Sequence, residues 1–455
     1  MIDRIFLPIE IKAREFHSKI LFSLFATEYG FEVILGGQNE LVERMPRFSR
    51  GIYIDKSTAI TKRAWYRHFR SLGNHIAAWD EEGLIYFSDD VYHATRMDKE
   101  CFDQADAFFA WGPHEVRTIL SRYPDAADKV IPTGNPRMDL LRPEFRGYCA
   151  PRVDALKKQY GPIILINTNF PIYNNFKGFD AGLKIFDAYP LATYHEFKSQ
   201  FYEFTRKGYE GFMAAVPEIR KAFPEHTIVI RPAPVENATP WIERFGNQPR
   251  TVITKEGNVV EWIQAADAVV QFNCTTGVEA FLLGVPVIAY RCVRSDTLET
   301  ELPNACSLEA FSQEELIAQL RYAIEVIRSG KASFVPRPDQ QAIINAYFSK
   351  LDGPTACEQI LGVLSKLEFV PQPVTMEEVS LPKKIWRAIL RLVRRPDPEA
   401  VRYYNEKFPG LSVEEVRGVA DRFSKAVGRF NRVSISSAGR NIVRISSDIK
   451  QKELP

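Results

Sequence analysis

The stretch "QFNCTTGVEAFLLGVPVIAYR", residues 271–291, contains a complete strand, helix and strand in 21 residues. An apolar run ends at Asn273, a short polar loop follows over residues 274–277, and "VEAFLLG" then has helical character before "VPVIAYR" returns as a strand. A strand, a crossover helix and a second strand in this order predict neighbouring parallel strands. The stretch therefore indicates an open α/β sheet whose loops collect ligands beyond the carboxyl ends of its strands.

The start of the helix in this stretch is a candidate site for an anion. The first backbone N–H groups of a helix have no helical acceptor, and together with the helix dipole they favour a phosphate at Thr275, Thr276 and Gly277. Glu279 follows within the first turn, near enough to accept hydrogen bonds from ribose hydroxyls. The alternative is a capped helix start over a core helix, with no ligand.

The same alternation of strands and helices extends over most of the chain. A first series begins with "IFLPIE" and ends with "KVIPTGNPR", and a second begins with "PIILINTNF" after a stretch without strand character. We therefore predict an N-terminal Rossmann-like domain over residues 1–150 and a second over 151–370, both doubly wound and facing a cleft. Residues 371–455 form an appendage, which begins with a proline-interrupted linker.

Composition limits the class of protein. The chain has 455 residues, 45% of them hydrophobic and 25% charged, and it contains no apolar run near the roughly 18 residues that span a membrane. The N-terminus lacks the apolar core of a signal peptide, and the six cysteines have no metal-ligand spacing. We expect a cytoplasmic protein with reduced thiols, no bound metal and no cofactor.

The appendage carries the basic charge of the chain. Residues 371–455 contain 17 Lys and Arg against 10 Asp and Glu. In "LPKKIWRAILRLVRRP", residues 381–396, apolar side chains share one helical face and basic ones fill most of the rest. This pattern predicts a mainly helical tail that lies on an anionic membrane surface, at the inner face of the cytoplasmic membrane. A helix packed on the enzyme or on a partner is the alternative. The chain has no nucleic-acid-binding module.

Three consecutive carboxylates follow the predicted buried strand "HIAAW". Asp80, Glu81 and Glu82 lie where that strand ends, so one of them is expected to face the cleft as a general base or as a nucleophile toward an anomeric carbon. In the alternative, Asp80 caps the next helix and the two glutamates favour its positive end.

Other polar residues occupy equivalent positions at strand ends. Glu10 and Arg14 follow the first strand and are candidates for the acceptor site, with a solvated loop as the alternative. Arg137 is expected to hold a phosphate or carboxylate, or to form an interdomain ion pair. Thr168 and Asn169 follow the first strand of the second domain and offer hydrogen bonds to a donor, or simply build a turn.

Several of these stretches together resemble a known family. The order of residues 271–291 is similar to the donor-binding half of GT-B glycosyltransferases, and "TGNPRMDLL" resembles the segment that closes their first domain. "LPIEIKAREF", "AWDEEGL", "FAWGPHE" and "ILINTNF" resemble bacterial surface carbohydrate biosynthesis proteins, kin to the capsule Kdo and nonulosonate transferases. The resemblance covers about residues 1–370.

The resemblance implies a glycosyltransferase of surface polysaccharide assembly. Its donor would be a nucleotide sugar, best a CMP-linked ulosonate, and its acceptor a lipid-linked or oligosaccharide glycan. The chain departs from the pattern of these enzymes at two places. "HTIVIRPAP" has Ala233 where many of them have histidine before proline, which leaves Arg231 as the phosphate candidate. The loop "NTNFPIYNNF" lacks an acidic residue. The alternatives are a CDP-glycerol-type phosphotransferase, a UDP-sugar GT-B enzyme or epimerase, and a non-catalytic scaffold.

Overall fold

The computed structural model describes residues 3–178, 181–182, 194–329, 336–349, 351–368 and 398–448. The basic segment 381–396, for which a membrane-associated helix is predicted, lies outside these ranges. The described chain forms two sheets that follow one another in the sequence.

The first sheet has eight strands in the order β13-β14-β2-β1-β3-β4-β5-β6. Its strands are β1 (Arg4–Ile9), β2 (Glu32–Gly37), β3 (Ile52–Asp55), β4 (His75–Trp79), β5 (Ala107–Phe109), β6 (Val130–Ile131), β13 (Val433–Gly439) and β14 (Ile442–Ser447). Strands β1 to β6 are mutually parallel. On β1, Ile5 and Leu7 belong to one core cluster and Phe6 to another, so both faces of this sheet are covered.

The second sheet has six parallel strands in the order β12-β11-β10-β7-β8-β9. Its strands are β7 (Ile163–Asn167), β8 (Thr227–Arg231), β9 (Thr251–Ile253), β10 (Ala268–Gln271), β11 (Val287–Tyr290) and β12 (Leu308–Ala310). Ile163 and Leu165 pack on one face of β7 and Ile164 and Ile166 on the other, which makes this sheet doubly covered as well. The strand–helix–strand unit predicted over residues 271–291 is present as β10, a helix and β11.

Helices cover both sheets. In chain order they are α1 (Lys12–Glu28), α2 (Gln38–Arg44), α3 (Arg63–Ser71), α4 (Asp89–Arg96), α5 (Lys99–Gln104), α6 (Pro113–Arg122), α7 (Pro136–Asp139), α8 (Ala150–Tyr160), α9 (Tyr194–Ala222), α10 (Thr239–Phe245), α11 (Val259–Ala265), α12 (Thr275–Leu282), α13 (Glu301–Ala305), α14 (Gln313–Arg328), α15 (Pro338–Tyr347), α16 (Ala356–Leu364), α17 (Pro398–Lys407) and α18 (Val413–Val427). Short 3-10 turns cover Met45–Arg47, Ile60–Lys62, Pro124–Ala126 and Arg146–Cys149.

The chain crosses back to the first sheet after β12. Helix α15 packs on α6, where the rings of His114 and Tyr347 stack with centroids 4.2 Å apart. The carboxylate of Asp139 accepts hydrogen bonds from the first N–H groups of α16, at Ala356 and Cys357, both 2.9 Å long. Residues 338–364 therefore pack against helices of the first sheet, although the sequence assigned them to the second domain. The predicted boundaries at 150 and 370 stay predictions.

The described part of the appendage is not only helical. After α17 and α18 the chain forms the hairpin β13–β14, and β14 pairs antiparallel with β2, at the edge of the first sheet. Gly36 permits this approach, because a Cβ there would lie 2.8 Å from the carbonyl oxygen of Asn441. The prediction of a mainly helical tail missed this hairpin, whose alternating "VSISSAG" and "IVRISS" have the period of strands.

Candidate functional site

The carboxyl ends of the two sets of parallel strands are joined by one arginine. Arg137, 6% exposed, donates a 2.7 Å hydrogen bond to Oε1 of Glu279 on α12 and a 3.2 Å hydrogen bond to the carbonyl oxygen of Glu81 after β4. Its guanidinium also lies over the ring of Trp111. Of the two predictions for Arg137, the structure contains the interdomain ion pair.

The loop before α12 has a defined backbone geometry. Asn273 has a φ of 44°, in the left-handed region that asparagine tolerates better than most residues. Its side-chain oxygen accepts hydrogen bonds from the N–H and hydroxyl of Thr300, at 3.1 and 3.2 Å. The Cys274 N–H donates to the side-chain oxygen of Gln271 over 2.9 Å. The sharp turn at the end of β10 is therefore fixed from two sides, and it aims the start of α12 at the cleft.

The residues predicted to hold a donor nucleotide lie at this helix start. Thr275 and Thr276 are half-buried, and Gly277 is buried beside the Gln271 side chain, where a Cβ would come within 3.0 Å. Glu279 is 4% exposed, and its second carboxylate oxygen, Oε2, is buried without a hydrogen-bond partner. An unsatisfied buried carboxylate oxygen is costly and rare, which makes this oxygen a candidate acceptor for a ligand hydroxyl.

Glu81 resembles Glu279 across the cleft. It is 3% exposed, its Oε1 accepts a 2.8 Å hydrogen bond from Nε1 of Trp79, and Nζ of Lys19 lies 3.5 Å from the same oxygen. Its Oε2 is buried and has no hydrogen-bond partner. Glu279 and Glu81 therefore each have one unused carboxylate oxygen, and Arg137 contacts the carboxylate of the first and the backbone carbonyl of the second.

Asp80 is not available as a base or nucleophile. Its side chain is 1% exposed, and both of its oxygens accept hydrogen bonds from the guanidinium of Arg96, one of them at 2.9 Å. It does not cap a helix either: Oδ1 accepts from the N–H of Glu82 within a turn, and α4 begins later, capped by Ser88. This part of the catalytic prediction is wrong, because the neighbouring arginine uses both oxygens of the carboxylate.

Glu82 is the exposed member of the three predicted carboxylates. Its side chain is 46% exposed and pairs with Arg14 at 3.0 Å and with Arg96 at 2.9 Å. Arg96, with Arg14 and Lys56, holds the pKa of Glu82 well below its usual value, although burial acts in the opposite direction. Glu82 is thus a permanent negative charge at the cleft, suited to attack or to charge stabilisation more than to proton abstraction.

Glu10 and Arg14 lie beside Glu82 at the same edge. Glu10 forms ion pairs with Lys56, in the loop after β3, and with Lys407 at the end of α17, the latter at 2.8 Å. Arg14 pairs with Glu82 and also reaches Glu15 at 3.3 Å. Both side chains belong to a network of charges, unlike the alternative of a solvated loop, and their role in an acceptor site stays a prediction. Lys56 and Lys407 were not singled out from the sequence.

Two predicted donor contacts in the second domain have structural partners instead. Arg231 donates to the carbonyl oxygens of Glu256 at 2.6 Å and Gly257 at 3.0 Å, and burial lowers its pKa to about 10. Thr168 donates to the buried carboxylate of Glu236 over 2.7 Å. Each side chain fixes a loop in this structure, and their roles in binding a donor stay predictions.

Asn169 remains at the site. It is half-buried, and its amide nitrogen donates a 2.9 Å hydrogen bond to the carbonyl oxygen of Asn273. This bond joins the loop after β7 to the loop after β10. The amide nitrogen of the preceding Asn167, at the end of β7, is buried and has no hydrogen-bond partner. The carboxyl edge of the second sheet therefore offers neutral amides and a helix start.

The described ranges contain no group of three or more His, Cys, Asp or Glu side chains that could hold a metal ion. Over the same ranges, no helix combines the length and the apolar character that crossing a membrane requires. All six cysteines are free thiols.

No family model and no curated protein sequence matches the chain. Solved structures are similar in fold. One structure of the wall teichoic acid polymerase TagF aligns with a TM-score of 0.52 at 10% identity, over 80% of this chain and 89% of that one. A second TagF structure gives 0.51 at 10% identity, over 80% and 88%. The UDP-GlcNAc 2-epimerase of Methanocaldococcus jannaschii gives 0.47 at 12% identity, over 80% and 99%.

The likeness to TagF covers most of both chains, and it agrees with the two doubly covered parallel sheets described above. At this level of identity it concerns the fold and nothing finer. The predicted fold is confirmed: the chain has the GT-B architecture of two Rossmann-like domains.

Proposed function

We propose that this protein is a transferase of bacterial surface polysaccharide assembly that moves a group from a nucleotide-activated donor to a glycan or glycolipid acceptor. The donor nucleotide would lie at the start of α12, and the acceptor would lie against the first domain. The fold supports this assignment, because ligands of open parallel sheets bind beyond the carboxyl ends of the strands.

The observation that carries the proposal is the unused oxygen of Glu279. A carboxylate oxygen that is buried without a partner costs on the order of 1–3 kcal/mol, and a ligand hydroxyl would remove this cost. Its position one turn into α12, two residues after Gly277, would bring it near the sugar of a nucleotide whose phosphate meets the helix start. The unused oxygen of Glu81 offers a second acceptor nearby, for the transferred sugar.

In the mechanism that we propose, the N–H groups at Thr275 to Gly277 stabilise the departing phosphate, which takes up negative charge as its bond to the sugar breaks. Glu82 supplies a fixed negative charge that stabilises positive charge at the anomeric carbon or attacks that carbon. A direct transfer would instead need a base, and Glu81, whose Oε2 has no hydrogen-bond partner, is then the candidate.

For the donor we favour a CMP-linked ulosonate such as Kdo or a nonulosonic acid, on the sequence resemblance alone. Such a donor carries one phosphate, so a metal is not obligatory. We place the enzyme in the cytoplasm, where residues 381–396 would hold it at the inner face of the membrane. The CDP-glycerol-type phosphotransferase is the second candidate, and the fold similarity to the polymerase TagF favours it. Ala233, in place of a histidine, argues against it.

A thermal-shift titration with CMP, CDP, UMP and UDP tests the proposal. A ligand that binds only the folded state raises the melting temperature by mass action, and we expect CMP to give the largest shift. Glu279→Gln should weaken this shift, whereas Glu243→Gln, an exposed glutamate of α10, should leave it unchanged. A shift confined to CDP would favour the phosphotransferase. No shift with any nucleotide would contradict the proposal and favour a non-catalytic scaffold.

A further inference from the structure

Four cations from four separate elements meet at the carboxyl edge of the first sheet. They are Arg14 of α1, Lys56 of the loop after β3, Arg96 at the end of α4 and Lys407 at the end of α17. Two carboxylates lie between them: Glu10 pairs with Lys56 and Lys407, and Glu82 pairs with Arg14 and Arg96. We call these four side chains the cation cluster.

The cation cluster is half-buried and still open to solvent. The side chains of Lys56 and Lys407 are each 14% exposed, and those of Arg14 and Arg96 are 19% and 16% exposed. Charges in this position are partly desolvated, so that a new ionic contact is weakened less by water than at a fully exposed site. The cluster therefore has the setting of a binding site more than that of a solvated surface.

Lys56 and Lys407 share one carboxylate, that of Glu10, whereas Arg14 and Arg96 have carboxylate partners of their own. Burial, together with Arg96, Lys62 and Lys407, lowers the pKa of the Lys56 ammonium to about 7, although Glu82 acts in the opposite direction. Glu10 is its direct ionic partner, but Glu10 is shared with Lys407. Arg96 in turn divides its guanidinium between Asp80 and Glu82. An additional anion would therefore be stabilised here.

We propose that the cation cluster binds an anionic group of the acceptor, a phosphate diester or a carboxylate, and that the C-terminal segment completes this site through Lys407. The assignment rests on the proposed function, since it places the acceptor in the first domain. Helix α17 also reaches the second domain, where Tyr403 stacks on Phe176 with centroids 4.9 Å apart and interplanar angle 6°. The appendage thus supplies a ligand-binding residue and bridges the cleft.

Calorimetric titration with dimethyl phosphate and with acetate, at low ionic strength, tests the site. Both probes keep one negative charge throughout the pH range used. We expect dimethyl phosphate to bind, and Lys56→Met and Lys407→Met each to weaken it by about tenfold or more. Lys99→Met, a lysine of the same domain that is 69% exposed, should leave the affinity unchanged. Binding of acetate as well would extend the site to carboxylates.

The pH dependence gives an independent readout. An anion favours the protonated form of Lys56, so binding should take up a proton near neutrality and weaken by roughly tenfold between about pH 6 and about pH 8.5. The charged groups that face Lys56 are Glu10, Glu82, Arg96, Lys62 and Lys407. The dependence should disappear in Lys56→Met. If Lys56→Met does not fold, the affinity of Lys407→Met for dimethyl phosphate decides whether the cation cluster binds the anion.

Either of two results would overturn the inference: no binding of dimethyl phosphate or acetate by the folded wild-type protein, or equal binding by wild type and Lys407→Met. A parallel titration with CMP separates this inference from the proposed function. The lysine variants should bind CMP as wild type does. If the protein binds the anion but not CMP, the anion site stands and the proposed function is contradicted. If it binds CMP but not the anion, the proposed function stands and the anion site is contradicted.

Discussion

The two sheets have similar parallel architectures but present different chemistry at their carboxyl edges. The first sheet ends in ion pairs, such as those that Glu10 and Glu82 form with lysines and arginines. The second ends in neutral amides, such as Asn169 and Asn273, and in the start of α12. A charged edge selects a ligand by its net charge, whereas amides and a helix start hold a phosphate and hydroxyls by geometry. The two sheets therefore share an architecture, but their carboxyl edges are suited to different ligand groups.

The contact between the two edges gives the prediction with the largest effect. Arg137→Met leaves Glu279 as a buried charge without its partner, and we expect it to lower the free energy of unfolding by about 3–5 kcal/mol. Denaturant unfolding measures this loss. Arg67→Met, which removes an exposed arginine of α3, should have little effect.

A double variant sharpens this first prediction. Arg137→Met combined with Glu279→Met removes both charges, so it should regain much of the lost stability by burying apolar side chains instead. If the single variant unfolds at the same denaturant concentration as wild type, the buried ion pair does not hold the two edges together. The carboxyl edges of the two sheets would then be independent of each other.

A buried histidine on α1, the helix that follows the first strand of the charged edge, gives the next effect. Burial lowers the pKa of His17 to about 3, and Arg422 and Lys12 add to the effect. Because this is below the usual unfolded value, the stability that neutral His17 provides is present above about pH 6.5 and is lost as the pH falls. At about pH 5 the loss is about 2 kcal/mol.

The difference between wild type and His17→Gln isolates this effect, because glutamine can keep the hydrogen bond to Tyr148. When the free energy of unfolding is measured at several pH values, it should decrease less at acidic pH in His17→Gln than in wild type. Asp139 acts with the opposite sign, because burial raises its pKa to about 6. Its contribution to the free energy of unfolding therefore falls as the pH rises to about that value. Both proteins contain Asp139, so this contribution cancels in the difference between wild type and His17→Gln. Parallel pH curves for the two proteins would contradict the prediction.

The neutral edge gives the smallest predicted effect. Asn273→Ala removes the acceptor for Thr300 and leaves alanine at a φ of 44°, which together should cost about 1–2 kcal/mol. Asn273→Gly restores the backbone freedom and should cost less. Thermal unfolding of the two variants separates the stability lost with the hydrogen bond from the stability lost through the backbone conformation. Equal losses would mean that the backbone conformation contributes nothing.

Sequence patterns were sufficient to predict parallel strands in both sheets and the polar residues at their carboxyl ends. Apolar runs such as "HIAAW" determine buried strands, and parallel strands bring their carboxyl ends to one edge. That is why Glu82 and Glu279 were found among the candidates.

Partners within the site could not be predicted. Arg231 follows a strand as a phosphate ligand would, but its guanidinium meets the carbonyl oxygens of residues 256 and 257, whose position depends on the folded loop. Asp80 has the same neighbours in sequence as Glu82, yet Arg96 uses both of its oxygens. Lys407 is distant from Glu10 in sequence, and no local pattern connects them.

The hairpin of residues 433–447 also bears on how the protein is made. Its strand β14 pairs with β2, so that Val443 meets Leu35 across roughly 400 intervening residues. While the ribosome is still translating, β2 has an exposed edge with unpaired backbone groups that could recruit another nascent chain. The first domain, although its parallel strands are synthesised early, therefore completes its sheet only after the second domain has been translated. Slow translation or a chaperone that covers this edge would protect it until then.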